Sequence, residues 1–219
     1  MDSRELIARR AALFFEDGDL VNLGIGMPTT VANYVPEGIN VFWQCENGVI
    51  GLGGAPENGK EDKDVVDAGG KFATLLNGAV CFDSAFSFAL IRGGHLDATV
   101  LGALEVDEEG NLANWIVPGK IVPGMGGAMD LASGARKVII TMEHCTKNGE
   151  PKILKKCTLP LTAAGRVTYI VTELCVIEKT PAGLVLKELA PGVTAADVLS
   201  KTEAKLTVPE NVAPMLGIA

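Results

Sequence analysis

Short apolar runs rich in β-branched residues alternate along this chain with helical patterns, and that alternation restricts the fold more than any single motif does. "RELIARRAALFF", Arg4 to Phe15, carries apolar residues at helical spacing, and "EDGD" stops it with Gly18 well placed as the terminator. "LVNLGIGMP" reads as a short strand entering a glycine turn, and Pro28 suits the first turn of the next helix, "MPTTVANYV". "INVFWQ" is a second strand. After the polar loop "GGAPENGKEDKD" the rhythm returns with the strand "FATLLNGAV" and a helix that Asp83 caps and Gly93 ends. "LDATVLGALEVDEEGNL" is a strand and a turn; "RKVIITME", "VTYIVTELCVIE" and "GLVLKELA" are further β-rich runs; "TAADVLSKTEA" is a closing helix capped by Thr194. Strands joined through helices run parallel, so the expected fold class is α/β. We expect one domain over residues 1–219, an open, mostly parallel sheet flanked by helices, with room for antiparallel strands in the last third.

The 219 residues suffice for a sizeable core, and 47% hydrophobic with 21% charged content is that of an ordinary globule. A net charge of −8 without a dense basic cluster argues against nucleic acid as a partner. The longest apolar stretch is interrupted by Arg92, His95 and Asp97, and the chain opens on an amphipathic helix, so no membrane span is expected and a cytoplasmic location is. The 5 cysteines include no C-x-x-C pair, which points to reduced thiols without a disulfide framework or zinc site.

Three glycine-rich stretches, "NLGIGMP", "ENGVIGLGG" and "VPGKIVPGMGGAMD", fall near predicted strand ends, where open α/β sheets bind ligands. Glycine lets a ligand approach backbone N–H groups closely. "GIGMPT" resembles a dinucleotide-binding turn but has Thr29 where the third glycine belongs, while Glu46 stands where that fingerprint expects a ribose-holding acid. Glu46 therefore has two possible roles. The flexible, apolar "NGVIGLGG" after it favours a partly desolvated nucleophile. Glu143, His144 and Cys145 are too close in a strand to converge on a metal, and none is expected. Ser84 and Ser87 near His95 lack the G-x-S-x-G elbow of a hydrolase.

"ENG" with "GLG", then "SFALIRGGHLD", "GNLANWIVPGK", "PGMGGAMDL" and "KCTLPLT", together resemble the β subunit of family I coenzyme A transferases, the group of 3-oxoacid and acetoacetate CoA-transferases. The resemblance runs from about the first helix to the last and implies a coenzyme A transferase-like fold. It implies that Glu46 attacks an acyl-CoA and carries a glutamyl-CoA thioester. The backbone of Gly126 and Gly127 would then serve the oxyanions, with Gly127 catalytic. Gly24, Ile25, Gly26, Met27 and Pro28 would border the CoA site, and Asn114 would form a polar wall of the same pocket. The resemblance implies no permanently bound cofactor, with coenzyme A acting as a substrate. It implies a homologous α subunit as partner in an α/β hetero-oligomer, without which the chain is inactive. Acetoacetate with acetate or butyrate is favoured over succinate and 3-oxoadipate. A nucleotide-binding module using "GIGMP" and an acyl-CoA hydrolase are the alternatives.

Overall fold

The computed structural model describes residues 1–119 and 124–217. The chain opens with helix α1 (Ser3–Ala12), strand β1 (Leu20–Leu23), a 3₁₀ helix (Met27–Tyr34) and strands β2 (Phe42–Cys45), β3 (Val49–Leu52) and β4 (Leu75–Cys81). Helix α2 (Ser84–Arg92), β5 (Ala98–Gly102), β6 (Glu105–Asp107), β7 (Leu112–Ala113), α3 (Ala128–Gly134), β8 (Lys137–Thr141) and β9 (Ile153–Leu154) follow. The last third holds β10 (Tyr169–Val171), β11 (Cys175–Thr180), β12 (Gly183–Leu189), α4 (Ala195–Ser200), β13 (Leu206–Thr207) and β14 (Ala213–Pro214).

The principal sheet is ordered β13-β12-β11-β10-β8-β5-β1-β2-β3-β4, with β14 also on β12. Its centre, β2-β1-β5-β8-β10, is parallel throughout. Antiparallel pairs extend both flanks: β3 and β4 beyond β2, β11 and β12 beyond β10. A second sheet has the order β7-β6-β9. Side-chain alternation feeds two cores. Val100 and Ile139 pack with Ile7, Ala8 and Ala11 of α1, whereas Leu101, Val138 and Ile140 pack with Ile91 of α2, Leu131 of α3 and Val198 of α4. The expected α/β architecture with a mostly parallel sheet is the observed one. Among the described residues no helix is long and apolar enough to cross a membrane.

Several boundaries differ from expectation for local reasons. Helix α1 stops at Ala12, short of Phe15, because the N–H groups of Leu13 and Phe14 turn back to carbonyls three residues earlier. That tight turn sends Phe14 against Tyr169, with ring centroids 4.4 Å apart, and Phe15 edge-on to Trp43. "VTYIVTELCVIE" is two strands folded on each other. Its turn is closed by Thr172, whose N–H donates to the Cys175 carbonyl at 3.0 Å and whose hydroxyl accepts from the N–H groups of Leu174 and Cys175. Helix α3 emerges from a stretch that reads as a glycine loop, and residues 120–123 of that stretch lie outside the described residues.

One buried ion pair ties α1 to the antiparallel flank. The Arg10 guanidinium donates to both oxygens of Glu188 on β12, at 2.6 and 2.8 Å, and both residues are buried. Leu216 N–H, in the C-terminal segment, donates to the same carboxylate at 3.2 Å. Removing one partner of a buried bidentate pair strands the other charge, which costs ~3–5 kcal/mol. We predict a loss of that order for Arg10→Met in urea unfolding. Lys60→Ala, which removes an exposed pair with Glu57, should leave the transition unchanged.

Candidate active site

Strands β1, β2 and β5 end side by side, and the loops leaving them wall a cavity of about 990 Å³, the upper end of small-molecule pockets. Glu46 sits in the turn between β2 and β3, which the Gly48 N–H closes on the Cys45 carbonyl at 3.0 Å. Only glycine serves at position 48. Its φ is +124°, and an added Cβ would overlap the Phe82 carbonyl. The Asn47 side chain donates to the Val66 carbonyl at 3.0 Å, tying this turn to the segment that forms the rim. The turn that carries the carboxylate is thus held at Cys45, Phe82 and Val66.

Opposite stands Gly127, whose N–H donates to Glu46 Oε1 at 3.3 Å. A Cβ on Gly127 would overlap the Glu46 carboxylate, so the approach depends on glycine. Burial pushes the Glu46 carboxyl above the ordinary glutamate value; the Gly127 N–H opposes this, and the nearby charge of Asp130 adds to it. This is a carboxylate partly stripped of water and held, among the described residues, by one backbone donor, that of Gly127. Such a group is more nucleophilic than a solvated one and stands beside N–H groups suited to an oxyanion.

Of the other expected site residues, Gly24, Ile25, Asn114 and Gly126 line the same cavity as Glu46 and Gly127. Gly26, Met27 and Pro28 are not in the lining. Gly26 is exposed at φ +85° and Pro28 is buried at the start of the 3₁₀ helix. The Gly24 N–H is consumed by the Val100 carbonyl at 2.8 Å and is not free for a phosphate. Asn114 is in the wall and also satisfied by protein: its Nδ2 donates to the Gly102 carbonyl at 3.0 Å and its Oδ1 accepts from Thr162 Oγ1 at 2.6 Å. His144 is buried, with one ring nitrogen 3.0 Å from Thr172 Oγ1 and the other 2.9 Å from Thr202 Oγ1. Burial lowers its pKa to about 4, as fits a structural histidine.

Sequence reasoning passed over Asn22, Gln44, Asp67 and Lys71. All four line the cavity, and Lys71 is the one cation in the lining among the described residues. The Asp67 carboxylate accepts the N–H groups of Gly69 and Lys71 at 2.8 and 2.9 Å, folding this rim segment into a tight loop. The D-x-G-x-K spacing was the available signal, and it is too common to single out.

Among the described residues, a cavity at parallel strand ends holds a half-buried carboxylate against the Gly127 N–H. The chain belongs to the coenzyme A transferase family: the coenzyme A transferase model matches residues 4–201. It is an enzyme of the CoA-transferase class. The beta subunit of the acetate CoA-transferase of Haemophilus influenzae is 58% identical over 212 residues, 96% of this chain and 94% of the relative. A subunit of a probable succinyl-CoA:3-ketoacid coenzyme A transferase from Bacillus subtilis is 49% identical, over 96% of this chain and 98% of the relative. A solved acyl-CoA transferase of Escherichia coli O157:H7 shares the fold at TM-score 0.78 and 23% identity, covering 99% of this chain; the chain spans 44% of that longer one.

The electrostatics of Glu46 can be read directly. With a ¹³C-labelled glutamate side chain, the Glu46 carboxyl should titrate above the ordinary glutamate range. Gly127→Ala dislodges the carboxylate from its donor and should raise the midpoint further. Asp130→Asn removes a like charge and should lower it. A Glu46 that titrates as an exposed glutamate in all three proteins contradicts the geometry.

Proposed function

We propose that this chain is the β subunit of a CoA-transferase that moves coenzyme A between a short-chain acyl-CoA and a carboxylic acid through a thioester on Glu46. The reading is carried by the half-buried Glu46 carboxylate facing the Gly127 N–H across the cavity. A carboxylate oxygen adds to the thioester carbonyl, and the tetrahedral intermediate collapses to an acyl-glutamyl anhydride and CoA thiolate. The thiolate then adds to the glutamyl carbonyl, expelling the first acid as its carboxylate and leaving Glu46 joined to CoA. An acceptor carboxylate repeats the two steps in reverse, restoring free Glu46. Each step exchanges one acyl bond for another, so no redox change is required. The N–H groups of Gly126 and Gly127 stabilise the oxyanions, and the wall at Gly24, Ile25 and Asn114 borders the CoA arm. Gly26, Met27 and Pro28 support that wall from outside the lining.

Acetate as one acid of the pair is supported by the relative named for it at 58% identity. Acetoacetate is favoured as the other acid, and a relative at 49% identity named for a 3-ketoacid supports this, although its name pairs the 3-ketoacid with succinyl-CoA. Butyrate remains in the same size class. The fully functional unit is a hetero-oligomer with a homologous α subunit. Relatives named as subunits support it, and so does the outer edge of β4. That edge strand leaves Leu76 and Val80 exposed, with Phe72 and Phe86 also exposed nearby, an apolar margin that soluble proteins normally cover.

Two experiments test this reading. The complex, treated with acetoacetyl-CoA and then sodium borohydride, should be reduced at Glu46 alone. Glu46→Asp should lose at least ~100-fold in kcat, because withdrawing the carboxylate by one methylene breaks the attack geometry. Full activity in Glu46→Asp, or no CoA-dependent reduction in an active enzyme, sinks the covalent mechanism. Separately, Cys81 on β4 is exposed, so its reaction with an aromatic disulfide reagent should be rapid in the isolated chain and slow once the α subunit is in place. Equal rates in the two states remove β4 from the interface.

A further inference from the structure

We propose that Ser87 is a positioning residue that sets where Glu46 stands, acting through Gln44 and the main chain of Cys45. The inference rests on the reading of Glu46 as the nucleophile. Asn22, Gln44 and Ser87 are 3%, 3% and 0% exposed and form a continuous polar chain behind the catalytic turn. Asn22 Nδ2 donates to Gln44 Oε1 at 2.8 Å and to the Gln44 carbonyl at 3.1 Å. Gln44 Nε2 donates to Ser87 Oγ at 2.9 Å, and Ser87 Oγ donates to the Cys45 carbonyl at 3.4 Å. Two of these four bonds end on main-chain carbonyls, those of the two residues immediately before Glu46.

Neither the strand nor the helix needs this arrangement. A buried helical serine ordinarily returns its hydroxyl to its own helix, four residues back. Here the Ser87 hydroxyl crosses to β2 instead, donating to the Cys45 carbonyl. Three buried polar side chains are costly unless every one is paired, and apolar residues of like volume would fill the space without that demand. What the polar chain adds is direction: it fixes the pleat of β2 at the point where the turn leaves it.

The same helix reaches the other half of the catalytic contact. Arg92, at the last turn of α2, holds Asp130 in the first turn of α3 with Nε to Oδ1 at 2.7 Å. Farther along, Gly134 of α3 lies so close to α2 that an added Cβ would overlap the Ile91 carbonyl. Helix α3 starts directly after Gly127, the donor to Glu46. Helix α2 is therefore a strut with one end on the carboxylate's strand and the other on the helix that carries its hydrogen-bond donor, so Ser87 couples the two.

Five variants assayed in the α/β complex test this. Ser87→Ala should lower kcat about tenfold or more while leaving the KM for acyl-CoA unchanged, since a small displacement of a reacting group is felt in the chemical step; it also strands the buried Gln44 Nε2 and should lower the unfolding midpoint, so rates are compared at a temperature where both proteins are fully folded. Gln44→Met should match it, and the double variant should be no worse than either single one, because both break one chain. Ser84→Ala, exposed on the same helix, is the control for generic helix effects. Ser87→Ala with wild-type kcat overturns the proposal, as does a loss of activity that only tracks a loss of folded protein. Glu46→Gln separates the two readings: activity there defeats the nucleophile assignment, whereas an inactive Glu46→Gln beside a fully active Ser87→Ala defeats only the role of Ser87.

Discussion

The contact between the Glu46 carboxylate and the Gly127 N–H governs what the rest of the molecule has to do. A carboxylate half removed from water is raised in free energy and tends to take up a proton, which would abolish its nucleophilicity. One backbone donor at 3.3 Å offsets part of that penalty without neutralising the charge as a lysine would. Two segments 81 residues apart must therefore arrive at hydrogen-bonding distance, one offering a backbone N–H and the other a side-chain oxygen. Glycine at position 127 is a consequence of that approach.

Sheet topology supplies the convergence. Because β1, β2 and β5 are parallel neighbours, their carboxyl ends open at one edge, and the loops beyond them surround one volume. A purely parallel sheet would carry each chain away on a crossover. At β2 the chain instead turns back at once into β3, so Glu46 stands on a hairpin corner clamped by β4 and Phe82. The antiparallel extension is thus what converts a strand end into a rigid mount for a charged side chain.

Local chemistry made much of this legible in the sequence. Helix α2 was readable to the residue because Asp83 caps it through its side chain and Gly93 closes it, and Thr194 announced α4 in the same way. Glu46 stood out because a charge followed an apolar strand and preceded glycines. Helix α3 did not, since its seven residues are too few to display a period and glycines lie at both ends. Lys71 and Asp67 reach the cavity from a rim loop with no regular spacing. The bond from Ser87 to Cys45 spans 42 residues, and no periodicity encodes which buried polar groups meet across such a distance.

In the proposed mechanism, the residue beside Glu46 bears on why a carboxylate and not a thiol would be the nucleophile at this corner. Cys45 would be intrinsically the stronger one, and an acyl thioester on sulfur would match the substrate's own bond. The thiol, however, is 4% exposed on the strand side, and burial raises its pKa, with the charges of Glu46 and Asp67 pushing in the same direction. Cys45 is the last residue of β2 and its thiol is buried, whereas Glu46 lies beyond the strand in the turn and its carboxylate reaches the Gly127 N–H. A cysteine acylated here would hold its acyl group as a thioester, and free CoA would be lost to solvent unless it waited in the site. In the proposed mechanism a glutamyl anhydride, a higher-energy acyl donor than either thioester, would recapture CoA and keep the coenzyme on the enzyme until the acceptor acid arrives.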